Sequence, residues 1–142
     1  MATTSTPTLK IEKITGSTST VKVTVSYSLT PNSVEKLAGT VFTERIQLIG
    51  DDDEVATDIN IAPSTFPAQA FAVSSATNVV NRVRTGNVLK SLFNEDPELV
   101  STGAEANDEI LARITLAYAA NPPIPSALPS PTLTNMVRGA WK

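Results

Sequence analysis

The clearest pattern along the chain is strict alternation. From Val21 to Leu29, the apolar residues Val21, Val23, Val25, Tyr27 and Leu29 alternate with Lys22, Thr24, Ser26 and Ser28. A period of two puts the apolar set on one face of a strand and the polar set on the other. Ile110 to Tyr118 repeats this, with Ile110, Ala112, Ile114, Leu116 and Tyr118 facing one way and Leu111, Arg113, Thr115 and Ala117 the other. Thr40 to Ile49 predicts a third long strand. There Phe42, Ile46 and Leu48 share a face that Glu44 interrupts. A carboxylate on an apolar face needs a cationic partner. Arg82, Arg84 or Arg113 on a neighbouring strand can supply it, and a structural salt bridge is preferred over an active-site acid.

Shorter segments complete the pattern. Leu9 to Ile14, residues 55–61, Ala68 to Ser74 and Thr132 to Trp141 read as further strands. Asn78 to Leu92 is ambiguous. Val79, Val83 and Leu89 fit a strand in part, but Gly86-Asn87 is a turn signal, so a hairpin or a helical turn over 88–93 is expected. One short helix is predicted after Pro31, with Asn32 as N-cap, Glu35 closing a capping box and Gly39 ending it. Many short strands with almost no helical period predict an all-β fold, a β-sandwich of about seven or eight strands. It resembles an immunoglobulin-like or jelly-roll-like sandwich in broad class. The Cys–Trp–Cys set of antibody domains is absent, so no family is implied.

The domain organisation follows. Residues 1–8 are Thr/Ser-rich and read as a flexible N-terminal arm, and 9–142 as one β-sandwich domain. Within it, residues 121–131 carry five of the ten prolines. Such a run favours extended polyproline II and is excluded from a central strand. The first ten residues have no apolar core of a signal peptide, and no apolar run reaches membrane-spanning length, so neither a leader nor a span is expected.

Composition narrows the chemistry. The 142 residues include no Cys and no His. Disulfides, thiolate or imidazole metal sites, and the commonest general base are therefore excluded. A net charge of −3 with no concentrated basic face argues against nucleic acid as a partner. Acidic residues cluster in three loops, and Asp51, Asp53, Glu95, Asp96 and Asp108 are the candidate ligands for Ca²⁺. Their spacing matches no calcium-loop pattern, and solvated turns that keep sheet edges soluble are the preferred reading. No nucleophile elbow or phosphate-binding glycine loop is present.

With no catalytic residues and no cofactor expected, the chain reads as a non-enzymatic structural subunit or cement-type accessory of a large assembly. A virus or phage particle, or an extracellular filament, fits the absence of an export signal. Its expected partners are copies of itself or another structural protein. Pro122, Pro123, Pro125, Pro129 and Trp141 are the candidate assembly contacts, because pre-extended prolines lose little entropy on docking and a terminal Trp can anchor. The alternative is an adhesion module that binds a ligand or Ca²⁺ through acidic loops at one end of the sandwich.

Overall fold

A computed structural model describes residues 2–50, 64–92, 108–122, 128–129, 131–135 and 137–139. Nine strands and one helix fall within them. They are β1 (Thr3–Thr4), β2 (Thr8–Lys13), β3 (Thr20–Thr30), α1 (Ser33–Ala38), β4 (Val41–Gly50), β5 (Gln69–Ala72), β6 (Val80–Leu89), β7 (Asp108–Ala120), β8 (Thr132–Leu133) and β9 (Val137–Gly139). The fold is all-β, in two sheets with a sandwich-like core. No helix among the described residues is long and apolar enough to cross a membrane.

In the first sheet β3 is central. β1 and β2 follow one another along one edge of it and β6 runs along the other, all antiparallel. In the second sheet the order is β5, β4, β7, with β8 and β9 sharing the far edge of β7. The alternations seen in the sequence account for this pairing. Val21, Val23, Val25, Tyr27 and Leu29 of β3 are buried, as are Phe42, Ile46 and Leu48 of β4 and Ile110, Ala112, Ile114 and Leu116 of β7. Together they form one core cluster, closed by Leu9, Phe66, Val73 and Val88.

α1 follows its expected caps. The Asn32 side chain accepts from the Glu35 N–H at 2.8 Å, and Glu35 Oε1 accepts from the Asn32 N–H at 2.9 Å. Gly39 ends the helix at φ 65°, a left-handed conformation that suits glycine. Glu35 is fully buried, and its other oxygen accepts from the Tyr118 hydroxyl at 3.3 Å.

Three expectations change. Residues 1–8 do not behave as a free arm from residue 2 onward. Thr3 and Thr4 pair with Thr30 and Leu29, and Ala2 and Pro7 are buried. The edge of β3 needs backbone partners, and this segment supplies them. Asn78 to Leu92 is not a hairpin. β6 runs unbroken from Val80 to Leu89 in continuous register with β3, followed by a 3₁₀ turn at Lys90–Leu92. Gly86 marks a close approach instead of a turn, since a Cβ there would lie 2.6 Å from Thr65 Cγ2 and 3.2 Å from the Thr65 carbonyl oxygen. The final strand is two short pieces, β8 and β9. The strand expected over 55–61 lies outside the described residues.

Candidate functional site

Glu44 is fully buried on the inner face of β4. β6 turns Arg82 and Arg84 toward it, because residues two apart on a strand share a face. Arg82 grips the carboxylate with Nε on Oε2 at 3.0 Å and Nη2 on Oε1 at 3.2 Å. Arg84 Nη1 donates to Oε1 at 2.7 Å, and the Tyr27 hydroxyl donates to Oε2. Two further donors are also used: Arg82 Nη2 reaches Gln69 Oε1 at 2.9 Å and Arg84 Nη2 the Pro67 carbonyl at 2.8 Å. Arg82 also lies over the Phe71 ring, 4.6 Å from its centroid.

Burial alone would push the Glu44 carboxyl up, but the hydrogen bonds from Arg82, Tyr27 and Arg84 outweigh it and hold the group below its ordinary range. Burial, then the hydrogen bond to Glu44, pushes the Tyr27 hydroxyl well up. The hydrogen bond to Glu44 raises Arg82. A carboxylate has about four lone-pair positions, and here four donors occupy them. Glu44 has none left to take a substrate proton, so the cluster works as a lock between the sheets. Arg113 is not its partner. It sits on the other face of β7, opposite Gln47 and Leu133, with a buried Nε that has no hydrogen-bond partner among the described residues.

Most of the other candidates lie outside the described residues. Asp51, Asp53, Glu95 and Asp96 are among them. Asp108 opens β7 opposite Gly139, with its side chain outside the description. Among the described residues, no group of three or more Asp or Glu stands close enough to share a metal ion. Of the candidate assembly contacts, Pro122 is exposed just beyond β7 and Pro129 is half-buried. Pro123, Pro125 and Trp141 lie outside the described residues.

The surface that stands out is the edge formed by β6. Sheet edges invite pairing with other chains, and stable monomers blunt them with short strands, prolines, lysines, bulges or covering segments. Among the described residues, three of the four edges are blunted. β5 is four residues long, and β8 and β9 are two and three. The β1–β2 edge is interrupted around Pro7, and Asn135 covers it. The Asn135 side chain accepts from the Leu9 N–H at 2.8 Å and donates to the Leu9 carbonyl at 3.1 Å. Among the described residues, no short strand, lysine, proline, bulge or covering segment guards β6, and its two inward-pointing arginines are held on Glu44. The strand is ten residues long, contains neither Lys nor Pro, and keeps one register throughout.

The free groups of that edge can be assigned. Asn135 holds both backbone groups of Leu9, so Leu9 and its partner Val25 form a pair that exchanges no bonds with each other. Val25 therefore bonds the other way, to Arg84. Along β6 the even-numbered residues bond to β3. The N–H and C=O groups of Asn81, Val83, Thr85, Asn87 and Leu89 point to the open edge, and no partner for them occurs among the described residues.

The side chains of these five residues are all exposed and uncharged, with Val83 65% and Leu89 52% accessible. They continue an outer face rich in hydroxyls, where a groove of about 390 Å³ is lined by residues including Ser5, Thr8, Ser26, Ser28, Asn81 and Val83.

The sequence reading missed this edge. The signal available was Arg82 and Arg84, two apart, matched to the stray carboxylate of Glu44. That match fixes the even-numbered residues inward and the odd-numbered ones outward.

Fold and surface thus define a class, an all-β two-sheet protein with one edge open among the described residues. Compared with family models, curated proteins and solved structures, the chain matches none.

Proposed function

We propose that this chain is a non-enzymatic structural subunit or cement-type accessory of a larger assembly, such as a virus or phage particle or an extracellular filament. The observation that carries the reading is the open β6 edge. A ten-residue strand whose outer backbone groups have no partner among the described residues, with Val83 and Leu89 exposed and no lysine or proline, is a surface suited to being covered. Backbone pairing along an edge gives affinity without any catalytic group. The saturated Glu44 cluster supports the same reading, because a rigid inter-sheet lock holds β6 in place to present that edge. The adhesion alternative gains no support from the described residues.

Light scattering on size-separated protein over a range of concentrations tests the proposal, together with electron microscopy of the native source. Self-association, or ordered particles or fibres containing the chain, is expected. A strict monomer that binds no particle surface would overturn it.

A further inference from the structure

Resting on that reading, we infer that β6 pairs antiparallel with β6 of a second copy of this chain, about a two-fold axis at Thr85. The backbone groups left without a partner among the described residues belong to Asn81, Val83, Thr85, Asn87 and Leu89. Antiparallel residues that exchange hydrogen bonds must both come from this set. Centring the pair on Thr85 sets Thr85 against its own copy, Val83 against Asn87 of the second copy, and Asn81 against Leu89. Every free group of the strand then finds a partner. A register displaced by one residue would face these groups with residues already bonded to β3.

Charge favours a second copy over an acidic or basic partner as occupant. A two-fold contact brings each surface against itself, so a charged edge repels its own copy. The outward residues of β6 carry no charge, and its two arginines are turned inward onto Glu44. The net charge of −3 therefore lies elsewhere and leaves the seam neutral. Pairing joins the sheets in the order β2, β3, β6, β6, β3, β2 and makes one continuous hydroxyl-rich outer face.

Equilibrium sedimentation of the full chain, from about 1 μM to 1 mM, reads the contact directly. A monomer–dimer equilibrium is expected. Thr85→Lys places two ammonium groups together on the axis and should weaken association by about tenfold or more. Thr24→Lys, on the same outer face but one strand inward, should associate like the wild type. Circular dichroism confirms that both variants fold. Thr85→Cys gives a second readout. The chain has no other Cys, and Cα atoms of such a pair stand about 5.5 Å apart, so oxidation should trap a disulfide-linked dimer. Association unchanged in Thr85→Lys, with no trapped dimer, overturns the β6 pairing while leaving the assembly reading intact. A wild-type chain that stays monomeric throughout overturns the pairing, and failure to bind any particle as well overturns both.

Discussion

At the scale of single residues, Glu44 explains more of the molecule than any other side chain. It ties β3, β4 and β6 together through Tyr27, Arg82 and Arg84. Removing one member of a buried ion cluster leaves uncompensated charge, so Glu44→Ala should cost about 3–5 kcal/mol by urea unfolding. The pH dependence has a definite sign. The folded carboxyl is held below its ordinary value of 4.5. Its stabilisation is therefore fully present above that value and is lost as pH falls through the lower, folded value. Unfolding midpoints should drop through the acid range for the wild type, and Glu44→Gln should remove that part of the slope. Gly86 gives a steric counterpart. A methyl there meets Thr65, so Gly86→Ala should lower stability by about 1–3 kcal/mol. An unchanged midpoint would show that the 64–67 segment does not press on β6.

At the scale of elements, legibility followed the strength of the local pattern. β3, β4 and β7 were readable because one buried face imposes alternation, and α1 because its caps are local chemistry. β6 was not, for a physical reason. Its inner face carries Arg82, Arg84 and Gly86, and its outer face carries Val83 and Leu89, which inverts the usual pattern. Only the tertiary partners, Glu44 for the arginines and Thr65 for the glycine, make sense of it. β1 was missed because a Thr-rich pair of residues has no pattern of its own and is ordered by the edge it joins. Asn135 was equally invisible, since its two bonds to Leu9 span most of the chain. Asn135→Ala should cost about 1 kcal/mol and speed exchange of the Leu9 amide, measurable by hydrogen exchange.

At the scale of the whole molecule, one edge open among the described residues contrasts with three that are blunted. Of the candidate contacts, Pro122 and Pro129 lie in extended chain while Pro123, Pro125 and Trp141 lie outside the described residues, whereas the open edge lies in a regular strand. Pairing there needs no new chemistry, only the backbone groups that β3 leaves unused. Hydrogen exchange of the wild-type amides in β6, at low and high protein concentration, tests this most directly. The account predicts that the amides of Arg82, Arg84, Gly86 and Val88 are protected at both, held by β3. Those of Val83, Thr85 and Asn87 should exchange fast when dilute and slow markedly when concentrated. Equal, fast exchange of the odd-numbered amides at every concentration would contradict it.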